Sequence, residues 1–215
     1  MSKKINENAV NEALQLPLSD RFEADLEALL YADDAQSGNP IIVALLDLDQ
    51  FDRVNVNFGH DVGDRTLIAI GQHIAANVPE CGRIYRVGGD EFGIIFHGEF
   101  EREDVFLLLE RIRASVDVTV PDGSAQTISA GLAEAFTDAA RVPELIRMAQ
   151  SAMFRAKLNG GNRVAIAREE KMVPKTSHYT ADQLKRLTKL SRSEGIGEAI
   201  LLREALDMLL KKYDK

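Results

Sequence analysis

The sequence predicts an α/β protein of the α+β kind: a mixed central sheet flanked by helices, followed by a small, separate helical segment. Three observations carry this. Ile41-Ile42-Val43-Ala44-Leu45-Leu46 is a continuous apolar run of strand length, the pattern of a strand buried on both faces. Arg83 to Val87 and Phe92 to His97 flank the turn residues Gly88-Gly89-Asp90-Glu91 and read as a hairpin. Between and after these runs, apolar residues recur at helical spacing.

In chain order, residues 9–31 carry Leu14, Leu16, Phe22, Leu26, Leu29 and Leu30 at mixed helical spacings, interrupted at Pro17. The apolar run at 41–46 follows, with aspartates at its C-terminal end. Residues 62–78 place Leu67, Ile70, Ile74 and Ala75 on one helical face. After the hairpin, 101–117 returns to helix with Phe106, Leu109, Ile112 and Val116, and Thr127 to Ala133 is a strand. Pro143 suits the first turn of a helix carrying Leu145, Ile146, Ala149, Ala152, Met153 and Ala156, which Gly160-Gly161 ends. Arg163 to Ala167 closes a β-α-β-β-α-β order. Beyond it, Lys175 to Thr180 alternates as a strand does. Two helices follow, Ala181 to Ser193 with Leu184, Leu187 and Leu190, then Glu198 to Tyr213 with Leu201, Leu202, Ala205, Leu206, Leu209 and Leu210. The expected organisation is a lead helix at 1–20, a main domain at 21–167, a linker at 168–174 and a tail domain at 175–215.

Composition narrows the function classes. With 215 residues and 45% hydrophobic content, the chain has a core for one good-sized domain plus an appendage. The six-residue apolar run is far too short to cross a bilayer, and the polar start Met1 to Asn8 lacks a secretory pattern, so no membrane association is expected. A single cysteine, Cys81, fits a reducing, cytoplasmic setting. The net charge of −8 is unevenly spread: residues 168–215 hold 11 Lys/Arg and 8 Asp/Glu (net +3), and residues 1–167 hold 15 and 26 (net −11). A basic tail on an acidic body suggests two jobs.

Two features point to phosphate and metal chemistry. In Asp47-Leu48-Asp49-Gln50-Phe51, carboxylates two apart at a strand end project from one side, as an Mg²⁺ site needs; an acidic loop reads equally well. In Gly88-Gly89-Asp90-Glu91, two glycines admit a close backbone approach and two carboxylates follow, although such residues also suit a plain turn.

The ordered blocks resemble the GGDEF domains of bacterial diguanylate cyclases over about Phe22 to Ala167. Arg86-Val87-Gly88-Gly89-Asp90-Glu91-Phe92 is unbroken, and Asp47 to Leu67 is similar to the pattern D-x-D-x-F…N…GH..GD..L. Ser129-Ala130-Gly131-Leu132-Ala133 and Ala152 to Gly160 also match. The resemblance implies condensation of two GTP molecules into cyclic di-GMP. It implies Mg²⁺ (or Mn²⁺) held by Asp47, Asp90 and the Leu48 carbonyl, with Asp90 also the base and Glu91 beside the metal. Gln50, Phe51 and Asp52 would offer backbone N–H groups to phosphates, Gly88 and Gly89 would let the turn approach, and Lys157 would add a positive charge. Asn55 and Asp64 would read the guanine edge. Against these roles, Asn55 and Asp64 also suit helix caps, Lys157 suits a solvated helix C-terminus, and Gly59-His60 suits plain loop geometry.

Four departures accompany the resemblance. The opening D-x-L-T-G-L-x-N-R is reduced to a tail at Leu16 to Phe22. Asp52 stands where lysine is common. Gly161 stands where a second basic residue follows Lys157 by four, with Arg163 two residues on. The product-inhibition motif R-x-x-D falls on Pro79 and Gly82, so no feedback through that site is expected. A non-catalytic GTP or cyclic-dinucleotide sensor is the competing expectation.

The tail resembles ribbon-helix-helix proteins, especially at Leu202-Arg203-Glu204-Ala205-Leu206. That implies a homodimer whose paired strands enter DNA, with Thr176 and His178 facing bases, the amides at Gly197-Glu198 meeting phosphate, and Lys175, Lys185, Arg186 and Lys189 adding attraction. A plain helical dimeriser is the alternative.

Overall fold

In a computed structural model of the chain, the apolar run becomes strand β1 (Ile41–Leu48), and all eight of its residues are buried. The structure describes residues 7–32, 35, 38–168, 175–194 and 197–213. The chain divides into two compact units between residues 169 and 170.

The first unit runs α1 (Glu7–Leu14), α2 (Ser19–Leu30), β1, α3 (Phe51–Phe58), α4 (His60–Asn77), β2 (Gly82–Arg86), β3 (Glu91–His97), α5 (Arg102–Ala114), β4 (Ile128–Glu134), α6 (Val142–Leu158) and β5 (Val164–Ile166). Its mixed sheet has the order β2-β3-β1-β4-β5, antiparallel except for the parallel β4–β5 pair. β1 is central because each face is covered. Ile42, Ala44, Leu46 and Leu48 share a core with Leu67, Ile70 and Ile74 of α4 and Leu109 and Ile112 of α5. Ile41, Val43 and Leu45 share another with Phe22 and Leu26 of α2 and Leu145, Ala149 and Met153 of α6. Gly131 makes the second layer close: a Cβ there would lie 2.1 Å from Met153 N and 2.3 Å from Ala149 O, so β4 and α6 touch backbone to backbone.

The expected helix at 9–31 is two, α1 and α2, separated by a break that includes Pro17, whose missing N–H cannot join a helical ladder. Pro143 is the second residue of α6, not the first. The segment 51–58, between the aspartates and the helix expected at 62–78, is itself helical, with Gly59 at φ 85° forming the corner to α4. Neither Asn55 nor Asp64 is a cap: Asn55 lies inside α3 and Asp64 inside α4, while Gln50 and Gly59 occupy the N-cap positions.

The second unit contains α7 (Ala181–Glu194) and α8 (Glu198–Tyr213). Thr180 and Gln183 cap α7 reciprocally: Thr180 N donates to Gln183 Oε1 at 2.9 Å, and Gln183 N donates to Thr180 Oγ1 at 3.2 Å. The alternating residues 175–180 are exposed and form no strand in the single chain. A strand's peptide groups need a ladder partner, and one chain supplies only one copy of this segment.

Candidate active site

The C-terminal end of β1 brings three carboxylates together. Asp47 pairs with Glu91 across the β1–β3 ladder, and Glu91 O accepts from Val87 N on the β2 side, so the Asp47–Glu91 pair is of the kind whose side chains approach most closely. Like charges directly opposed are unfavourable. Asp90 precedes Glu91 in the turn. Burial pushes the Asp47 carboxyl up to about 7; the neighbouring Asp90 and Glu91 add to the rise, and the Lys157 ammonium opposes it. Burial also raises Asp90, and burial together with Asp90 raises Glu91.

Helix α6 delivers a cation to this cluster. Lys157 Nζ is 2.5 Å from Asp47 Oδ1. The turn beside it is held by Arg86, a buried residue that donates to Gly89 O at 2.8 Å and to Asn11 Oδ1 of α1. Arg86 was only part of a motif in the sequence; its burial and long-range partners were not visible there.

The phosphate-loop candidates follow β1. Gln50 adopts the left-handed region at φ 56°, and Phe51 and Asp52 open α3, where the first N–H groups have no intrahelical acceptor. Asp52 is exposed, and its charge reaches Asp90, helping to raise that carboxyl. The guanine-edge candidates lie on the two helices of the α3–α4 corner, Asn55 on α3 and Asp64 on α4. Asn55 Oδ1 and Asp64 Oδ1 are buried and have no hydrogen-bond partner among the described residues. Asn55 lies over Gly63, where a Cβ would fall 1.9 Å from Asn55 Oδ1. Orphaned polar atoms of this kind call for an outside donor.

The donor set fits a hard cation such as Mg²⁺. Asp49 N donates to Thr127 O, so the Leu48 peptide groups point the other way, toward β3, past the last ladder pair and on the Asp90 side. That leaves the Leu48 carbonyl facing the carboxylates of Asp90 and of Asp47, one oxygen of which pairs with Lys157. Among the described residues no three His, Cys, Asp or Glu side chains already converge as a metal site. One or two carboxylates completed by phosphate oxygens and water are the usual Mg²⁺ arrangement.

A family model described as "Diguanylate cyclase, GGDEF domain" matches residues 15–163. The chain belongs to the GGDEF-domain family. Another model, "Ribbon-helix-helix domain", matches residues 172–214. Among curated relatives, the probable diguanylate cyclase DgcT of Escherichia coli is 30% identical over 165 residues, covering 73% of this chain and 36% of DgcT. The response regulator PleD of Caulobacter vibrioides is 32% identical over 133 residues, covering 59% of this chain and 29% of PleD. The chain thus spans about a third or less of these relatives' lengths. The GGDEF domain of YfiN from Pseudomonas aeruginosa superposes with a TM-score of 0.67 at 26% identity, covering 73% of this chain and 99% of that one. The coiled coil and GGDEF domain of DgcB from Caulobacter crescentus, solved in complex with c-di-GMP, gives 0.66 at 26%, covering 73% and 84%.

Within this GGDEF domain two of the departures, at Gly161 and Gly82, sit where packing is tight. Gly161 sits at φ 70°, and a Cβ there would be 2.9 Å from Asp49 Oδ1, so a basic side chain does not fit this turn as it stands. Arg163 is exposed and folds back to donate to Gly161 O at 3.2 Å. Gly82 packs so closely that a Cβ would meet Val78 at 2.7 Å and Phe96 at 2.9 Å, leaving no room for a carboxylate. Of the tail candidates, Lys175, Thr176 and His178 are exposed, and Gly197 is the acceptor that starts α8, with Leu201 N donating to its carbonyl at 3.2 Å. No described helix is long and apolar enough to cross a membrane.

Proposed function

We propose that the chain is a diguanylate cyclase that condenses two GTP molecules into cyclic di-GMP and two diphosphates. The supporting observation is a cluster of buried or half-buried carboxylates at the end of β1 (Asp47, Asp90, Glu91) together with two orphaned acceptors, Asn55 Oδ1 and Asp64 Oδ1, on the two helices that follow it. Asp64 accepts from guanine N1–H and the 2-amino group, and adenine, which has neither donor on that edge, leaves the carboxylate unpaired. The N–H groups at Gln50, Phe51 and Asp52 and the Lys157 ammonium orient the triphosphate. Asp47, Asp90 and the Leu48 carbonyl would hold Mg²⁺, which when bound would supply charge neutralisation and a more acidic attacking hydroxyl. Asp90, whose half-buried carboxyl is already raised, takes the 3′-hydroxyl proton as that oxygen bonds to the other nucleotide's α-phosphorus and diphosphate leaves.

Two loaded sites must face each other, and the second unit provides the means. Leu184, Leu190, Leu206, Leu209 and Leu210 are each 44–53% exposed, more apolar surface than a stable free helix pair leaves in water. A second copy covers it and gives residues 175–180 the ladder partner that one chain lacks. The resulting homodimer raises the local concentration of the paired sites. It also presents Lys175, Thr176 and His178 to DNA, with the Gly197 end of α8 on phosphate. The product brake is absent, since Pro79 and Gly82 supply neither charge.

Incubation with GTP and Mg²⁺ or Mn²⁺ followed by chromatography tests the activity. Cyclic di-GMP from wild type and none from Asp90→Ala is the expected result. GTP bound but left intact by both would instead make the domain a sensor, a reading favoured by the charge of Asp52 and the closed turn at Gly161. A salt-dependent gel shift tests the tail, and its absence at low salt would leave a dimeriser alone.

A further inference from the structure

We propose that Asp49, the second carboxylate of the Asp47-Leu48-Asp49 run, is a positioning residue that locks the phosphate loop to the turn after Lys157, and is not a metal ligand. The proposal rests on the reading that this loop and Lys157 receive a triphosphate. Strand spacing places Asp47 and Asp49 on one side, and both reach the C-terminal end of α6 and the turn after it, but they meet different partners there. Asp47 faces Glu91 and Lys157. Asp49 turns into the protein. Its Oδ1 accepts from Ser129 Oγ at 2.7 Å; its Oδ2 accepts from Thr127 Oγ1 at 2.7 Å and from Asn162 N at 2.8 Å. Gly161 closes on the same carboxylate. Little of its acceptor capacity is left for a cation.

Those bonds tie together, through one side chain, three segments that the β1–β4 and β4–β5 ladders bring side by side. The Asp49 backbone is held as well, N donating to Thr127 O and O accepting from Gln126 Nε2, both at 2.9 Å. On one side this anchors the left-handed Gln50, a conformation that a non-glycine residue keeps only where neighbours enforce it. On the other it anchors the turn whose amides finish α6, Gly160 N donating to Lys157 O and Gly161 N to Ala156 O. The last turn of α6 carries Lys157, so the clamp on Asn162 sets where that ammonium stands over Asp47.

An amide can replace this carboxylate. In Asp49→Asn the amide oxygen would take the Thr127 hydroxyl and the Asn162 N–H, and the amide NH₂ would donate to the Ser129 hydroxyl, which can rotate to accept. A metal ligand would not survive the same change. The full-length chain is therefore titrated with Mn²⁺ alone and, separately, with the non-cleavable α,β-methylene analogue of GTP, as wild type, Asp49→Asn, Asp49→Ala, Asp47→Asn and Lys157→Met. Asp49→Asn is expected to stay within about threefold of wild type for both probes, while Asp49→Ala keeps its Mn²⁺ affinity and binds the analogue about tenfold more weakly. In a Lys157→Met background the Asp49→Ala loss shrinks to about threefold or less, because the two residues act on one contact. Loss of Mn²⁺ affinity in Asp49→Asn matching that of Asp47→Asn would make Asp49 a ligand and overturn the proposal. An analogue loss of equal size with and without Lys157 would overturn it too, leaving a structural role. Wild type that binds no analogue would sink the triphosphate reading and positioning with it, whereas the Mn²⁺ comparison still decides ligation by itself.

Discussion

Divalent-ion affinity should depend steeply on pH, because the cation competes with a proton for Asp47. Burial first, then Asp90 and Glu91, hold that carboxyl at about 7 against the pull of Lys157. From pH 6 to pH 8 its ionised fraction climbs from about a tenth to about nine tenths, so the apparent Kd for Mn²⁺ falls about tenfold. Calorimetric titration of nucleotide-free protein at pH 6, 7 and 8 measures this, with Asp47→Asn as the control that binds weakly and with little slope. A second consequence has a fixed sign. The folded pKa lies above the ordinary value of 3.8, so the folded state holds the proton more tightly. The stability this contributes is present below about pH 4 and is lost as pH rises toward about 7. In EDTA, wild type therefore loses Tm relative to Asp47→Asn between pH 5 and pH 8, and Mn²⁺ restores it at the upper end. A wild-type Mn²⁺ affinity that is flat with pH, or a slope that persists in Asp47→Asn, would refute the placement of the cation at this carboxylate.

Four variants probe the rest. Gly63→Ala puts a methyl where Asn55 Oδ1 stands; the amide swings aside at small cost in Tm, and GTP affinity drops about tenfold by calorimetry. Gly131→Ala meets backbone atoms of α6 that cannot rotate away, and urea denaturation should show a loss of about 3 kcal/mol. Asp52→Lys replaces a negative charge that reaches Asp90 and should lower the KM for GTP about threefold, an effect that fades in high salt. Leu206→Glu with Leu209→Glu, both on exposed apolar surface, should leave the fold intact and shift sedimentation from dimer to monomer.

How much of this was legible in the sequence follows from the range of each interaction. β1, the hairpin, the helices at 102–114 and 142–158, and both tail helices were announced by periodicity and turn chemistry, which are local. The helix at 51–58 was missed because its eight residues contain Asn55, Val56 and Asn57, poor helix formers, and follow a left-handed residue that no pattern marks. The alternation at 175–180 predicts a strand that the single chain does not form, because pairing depends on a partner segment that local pattern cannot supply.

The Asp47-Leu48-Asp49 run shows where local information stops. Spacing alone determined that carboxylates stand at the end of a buried strand and that a glycine turn with two more acids comes later in the chain. Which carboxylate meets Glu91 and Lys157, and which is consumed by Thr127, Ser129 and Asn162, was decided by the tertiary structure. The reason is physical: the partners of Asp49 lie 78, 80 and 113 residues away, and only sheet register and the close approach of β4 to α6 bring them to it.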